Sequence, residues 1–190
     1  MTLPATCSTD LASMPHAELV KLFTTLEAPT ISEMSGEYDG TALRQPNLLR
    51  SAIATVKVRN PLYRWMAKGF RQLDEVSGRG YNVHRRAVGG RLVYRDPMTT
   101  RITTSHIDGR PAFQLDYRTF DTVNGVVNLV DDVRRVAPGL YLGFGMLGFT
   151  DRQRGVLQPF MLKATSRLYA GDVGTLRSEQ RHGRSSSVWT

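Results

Sequence analysis

Cysteine occurs once in these 190 residues, at Cys7. One thiol cannot build a disulfide framework or a multi-cysteine metal site, and such sparing use fits a reducing compartment. Long apolar runs are missing too: none approaches the ~20 residues of a spanning helix. The opening stretch MTLPATCSTDLASMPHAELV lacks the basic segment and following apolar segment of a secretory signal. These absences together predict a cytoplasmic protein with no membrane span.

Nucleotide-binding signatures are also absent. There is no G-x-x-x-x-G-K-[ST] and no dinucleotide fingerprint, and Gly139, Gly143, Gly145 and Gly148 alternate within an apolar run, which fits strand bends. His84 and His106 have no His or Cys companions at ligand spacing, so no metal site is expected. The sequence leaves the identity of any cofactor unknown. Lysine is scarce, with four of the 25 basic residues, and an arginine bias of that kind arises from GC-rich codons as readily as from phosphate recognition.

What remains is a chain of ordinary hydrophobic content, 41%, long enough for one domain with a sizeable core. Its net charge of +8 is unevenly spread: residues 1–43 set one lysine against six acids, whereas residues 44–101 set thirteen basic residues against three acids. A basic face is the usual footprint of a nucleic-acid binder. Here the basic residues are scattered (Arg44, Lys57, Arg64, Arg71, Arg79) rather than in a run, which weighs against that partner.

Residues 1–12 read as a flexible N-terminus and 13–170 as the folded domain. Ser13 can cap a helix with Pro15 in its first turn, and Leu19, Leu22, Phe23 and Leu26 form its apolar stripe, giving a helical segment near 15–27. Ala28-Pro29 ends it. A strand follows, roughly Ser32 to Leu43, then a second helical zone near 47–67, broken at Asn60-Pro61.

From Gly69 the period changes to that of strands. Segments such as GYNVHRRAV, GRLVYRD, TRITTSHI, PAFQLDYR, GVVNLVDDVRRV, GLYLGFGML and PFMLKA are separated by Gly89-Gly90, Asp96-Pro97, Asp108-Gly109, Asn124-Gly125 and Pro138-Gly139. Such glycines supply the positive φ of tight hairpins, and His106 to Arg110 and Thr122 to Val126 are the strongest hairpin signals. The fold class predicted is mainly β with N-terminal helices: one antiparallel up-and-down barrel of about eight to ten strands, closed so that its edges are buried. Residues 171–190, GDVGTLRSEQRHGRSSSVWT, have little to bury and read as a disordered tail.

SGEYDG, Ser35 to Gly40, sets an aromatic between two glycines. Side chains alternate along a strand, so Gly36, Tyr38 and Gly40 share a face where the glycines permit coiling and close approach. With the helical zone after it and YRWMAKGF beyond, this order resembles proteins built around a G-x-W-x-G motif. LDYRTF, NLVDDVRRVAPGLYLGFG and PFMLKA resemble the companion domain of unknown function that follows that motif. Two departures stand out: Tyr38 in place of the motif's Trp, and Ala67 where those proteins tend to have Gly. The resemblance covers about residues 18–165 and implies a calycin-like barrel, of the lipocalin or fatty-acid-binding-protein kind, with no established activity.

In such a barrel the candidate ligand contacts are Tyr38, Trp65 and Lys68, then Tyr117 and Tyr141 as polar-tipped aromatics. Asp132 and Arg134, two apart on one face, are either a bracing ion pair or a cavity carboxylate with a cation suited to a ligand carboxylate. His106 shares a face with Asp108 and is a candidate oriented base, whereas Ser105 and His106 point apart and cannot form a nucleophile–base pair. The function expected is binding of a small hydrophobic or amphipathic ligand. The alternatives are an enzyme using a cavity His and carboxylate, and a basic-face nucleic-acid binder. A homodimer is the other partner left open.

Overall fold

The computed structural model describes residues 8–45 and 62–177. In chain order the elements are α1 (Ser8–Ser13), α2 (His16–Thr25), β1 (Gly36–Ala42), β2 (Tyr63–Gln72), β3 (Ser77–Arg86) and β4 (Leu92–Thr104). They continue with β5 (Pro111–Asp116), α3 (Val123–Val126), β6 (Val130–Ala137), β7 (Leu140–Met146), α4 (Asp151–Arg154) and β8 (Gln158–Ala164). The strands pair antiparallel in sequence order, and β1 pairs with β8 through Tyr38↔Ala164 to Ala42↔Phe160, closing an eight-strand barrel. Closure leaves no strand of the ring with an unpaired edge.

Alternation gives each strand an inner and an outer face. One end of the lumen is solid. Tyr38, Phe70, Phe113, Val133, Tyr141 and Leu162 form its core, and Ile31 and Met34, in the turn before β1, join the same cluster. On the outside, Leu11 of α1 with Leu19 and Phe23 of α2 packs onto Leu140, Leu142 and Phe144 of β7. No helix among the described residues is long and apolar enough to cross a membrane.

Several local expectations are corrected. Residues 8–12, expected to be loose, belong to α1, because Leu11 is completely buried in the outer cluster. Ser13 is the last residue of that helix, and Pro15 holds the cap position of α2 without a side-chain hydrogen bond. The first strand is shorter than Ser32 to Leu43, beginning at Gly36. Residues 63–67, expected to be helical, belong to β2, because their backbone pairs with β3 from Tyr63↔Arg86 onward. The rest of that helical expectation, up to residue 61, lies outside the described residues.

Two turn assignments change as well. GRLVYRD and the TRITT of TRITTSHI run into one strand, β4, which passes through Asp96 at φ +54. Thr122 to Val126 is a capped turn of helix rather than a hairpin: the Thr122 hydroxyl accepts from the Gly125 N–H. Gly125 is required there by crowding, since a Cβ would lie 2.3 Å from the Phe120 carbonyl oxygen. The other strong signal, around Gly109 at φ +74, does join β4 to β5, in a loop that contains His106.

Residues 165–177 form a strap over β2 and β3, although 171–177 were expected to belong to a disordered tail. Tyr169 stacks on Tyr81 at 4.6 Å, and Asp172 pairs with Arg71 at 2.6 Å and Arg79 at 3.4 Å. Arg167 is anchored by the buried Glu37 at 2.8 Å. Residues 178–190 lie outside the described residues.

Candidate functional site

The other end of the lumen is hollow. A cavity of about 300 Å³ is lined by residues near the ends of β1, β3 and β7 and the starts of β2, β4, β6 and β8, with Tyr117 just after β5 and Val123 and Asn124 of α3. Trp65, Tyr63, Phe160 and Leu129 supply apolar wall; Lys68, Asn82, His84, Asp96, Tyr117 and Asp131 supply polar groups. The register slips by one residue between Trp65 and Ala67, so Trp65 and Lys68, three apart, both face inward. Glycine makes the room: a Cβ on Gly40 would stand 2.4 Å from the Trp65 ring, and one on Gly143 would stand 2.3 Å from the Phe160 ring.

Lys68 is at the boundary between cavity and core. Its ammonium donates to Asn82 Oδ1 at 3.0 Å, to the Tyr117 hydroxyl at 2.5 Å and to Asp131 Oδ2 at 2.9 Å. Tyr117 in turn donates to Asp131 Oδ2 at 3.1 Å. Burial first, then the Asp131 charge, holds the Tyr117 hydroxyl well above its ordinary pKa, so it remains a donor. The ammonium also lies 5.2–5.4 Å from the ring centres of Trp65, Tyr117 and Phe160, an aromatic surround that favours a cation.

A second polar pair lies higher in the same cavity. His84 Nε2 is 3.1 Å from Asp96 Oδ2. Burial works to raise the Asp96 pKa, but the His84 hydrogen bond and the charges of Arg95, His84 and Lys68 outweigh it, so the carboxylate sits below its usual range. An ionised carboxylate only accepts, so Nε2 carries the hydrogen. Nδ1 of His84, Nε1 of Trp65 and Oε1 of Gln45, all on cavity-lining residues, are buried and have no hydrogen-bond partner among the described residues.

Of the residues singled out in the sequence, Trp65, Lys68 and Tyr117 line this cavity together. Tyr38 and Tyr141 are inside the barrel but within the solid end, their rings 5.5 Å apart. The Tyr38 hydroxyl donates to the Glu33 carbonyl at 2.9 Å, and Tyr141 donates to the Glu33 carboxylate at 3.0 Å. Asp132 and Arg134 share a face, but it is the outer one. Asp132 accepts from Ser105 Oγ at 2.8 Å, Gln114 Nε2 at 3.2 Å and the His106 N–H at 3.2 Å. Its burial pushes the carboxyl above its ordinary pKa.

Arg134 is therefore not a cavity cation. It makes a two-pronged pair with Asp108, at 2.6 and 2.7 Å, and donates to the Phe23, Arg110 and Pro111 carbonyls beneath α2. That pairing also removes Asp108 as the orienting partner of His106, whose ring is exposed. The inward carboxylate is Asp131, and the oriented histidine of the lumen is His84.

No family model matches the chain, and no curated protein does. A solved structure of a protein from Thermomonospora curvata is similar over 80% of this chain and 88% of that one, with a TM-score of 0.52 and 15% identity. At that identity the likeness concerns the fold alone.

Proposed function

We propose that the barrel is a calycin-like binding module whose hollow end holds one small hydrophobic or amphipathic molecule. The observation that carries this reading is uneven filling: side chains pack one end of the lumen solid and leave about 300 Å³ at the other. An eight-strand barrel has room for its own side chains or for a single small ligand. A mostly apolar wall with a few convergent polar groups is the usual make-up of such a site.

Trp65 lines the cavity, so its emission reports on occupancy. With Trp189→Phe removing the second indole, titration with fatty acids, flavin, haem and other tetrapyrroles should give a saturable change for at least one class. If emission stays flat across all of them, the binding reading is wrong.

A second reading rests on the His84–Asp96 contact of 3.1 Å, which orients an imidazole in the same cavity and suits a general base on a small organic substrate. A hydrolase and isomerase panel would test it, and turnover unchanged by His84→Gln would exclude that assignment.

A further inference from the structure

The polar groups of the cavity constrain the charge of what it can hold. An ammonium has three N–H bonds, and all three of Lys68's are directed at acceptors of the protein: Asn82, Tyr117 and Asp131. A ligand carboxylate could reach this cation only by displacing one of them. Displacing Asp131 would strand a carboxylate whose side chain is 4% exposed. Removing one partner of a buried pair is far more costly than the net worth of the pair.

The other charges of the cavity cancel in the same way. Asp96 faces both His84, at 3.1 Å, and Arg95, at 3.5 Å. Among the described lining residues, and with His84 neutral, Lys68 and Arg95 against Asp96 and Asp131 leave no surplus of either sign. A carboxylate or an ammonium entering this space loses its hydration, and among the described lining residues each charge already faces an opposite one.

Among the described residues, what is left over is neutral hydrogen-bonding capacity: the Trp65 indole N–H as donor, the Gln45 amide oxygen as acceptor, and Nδ1 of His84, which offers a lone pair in the neutral tautomer that carries its hydrogen on Nε2. These atoms are enclosed, so a ligand engages them as the side chains that already line the cavity rotate.

We propose that the cavity selects molecules whose polar group is uncharged, of the amide or hydroxy-carbonyl kind that both donates and accepts, and discriminates against carboxylates and ammonium groups. This rests on the binding reading above and narrows its ligand class.

The test uses the full chain carrying Trp189→Phe and three probes of matched chain length: octanamide, octanoate and octylammonium, followed by Trp65 emission and by calorimetry. Octanamide is expected to bind about tenfold or more tighter than either ion, since each 1.4 kcal/mol of unreturned desolvation is a factor of ten. Asp131→Asn keeps the shape of the side chain, removes one negative charge, and should raise the affinity for octanoate relative to octanamide about tenfold. Octanoate or octylammonium binding the unaltered pocket as tightly as octanamide overturns the proposal and leaves the binding reading standing. So does Asp131→Asn that binds octanamide but gains nothing for octanoate. If none of the three probes moves Trp65 or releases heat, the neutral-ligand proposal falls, while the binding reading is decided by the wider panel above.

Discussion

Lys68 on β2 and Asp131 on β6 meet across the lumen, Nζ to Oδ2 at 2.9 Å, from strands four places apart in an eight-strand ring. The pair ties opposite walls of the barrel together at the level where core gives way to cavity. A buried ion pair is weak evidence of net stability, because desolvation offsets much of the attraction. Its consequence is specificity: with the two charges fixed on each other, the floor of the cavity is polar without being open to a third ion.

Lys68→Met should destabilise the fold by about 3–5 kcal/mol, because it leaves Asp131 buried without its cation. Adding Asp131→Leu to that variant should recover about 2 kcal/mol or more of the loss. Urea titrations of the two singles and the double measure the coupling, and losses that simply add would show that the two groups do not interact.

Acid should act through the Arg134–Asp108 pair. The hydrogen bonds from Arg134 hold the Asp108 carboxyl below its ordinary range. A carboxylate with a depressed folded-state pKa contributes stability that is present above its unfolded value of about 3.9 and is lost as pH falls through the lower folded value. Asp108→Asn should therefore be less stable than the unaltered protein at pH 7, yet fall off less steeply between about pH 4 and pH 2. Denaturation midpoints across that range read it, and parallel acid limbs would refute the assignment.

Gly40→Ala should push the Trp65 ring from its seat, since the added carbon would stand 2.4 Å from it. The expected loss is about 1–3 kcal/mol, the range for overpacking a filled space, together with a shift in indole emission. A variant of unchanged stability and emission would mean that β1 does not carry the indole.

Tyr169→Ala should loosen the strap. Its ring stacks on Tyr81 at 4.6 Å, and its hydroxyl donates to Asp172 at 3.0 Å. About 1–2 kcal/mol is expected from the lost aromatic pair and its burial, with faster tryptic cleavage after Arg167. Cleavage at an unchanged rate would show that the stack does not hold the strap down.

Much of this was readable locally. The β-rich segments and the glycines between them mark most of the strands, because strand period and hairpin φ are properties of a few consecutive residues. The sequence did not show which face of β6 looks inward. Val130 to Arg134 are all buried, one side by the lumen and the other by α2 and the β4–β5 loop, so no polar alternation separates Asp131 from Asp132. The same double burial put Arg134 among the candidates for the cavity.

By itself, then, the order of residues determined an antiparallel β domain with an amphipathic helix in front, and it flagged Trp65, Lys68 and Tyr117. Tertiary structure decided the rest: that β1 meets β8, that a one-residue slip after Trp65 turns Lys68 inward, and that Asp131, 63 residues further on, is the carboxylate it meets. Local pattern specifies how a strand alternates, but partners across a lumen exist only once the ring has closed and the register around it has been set.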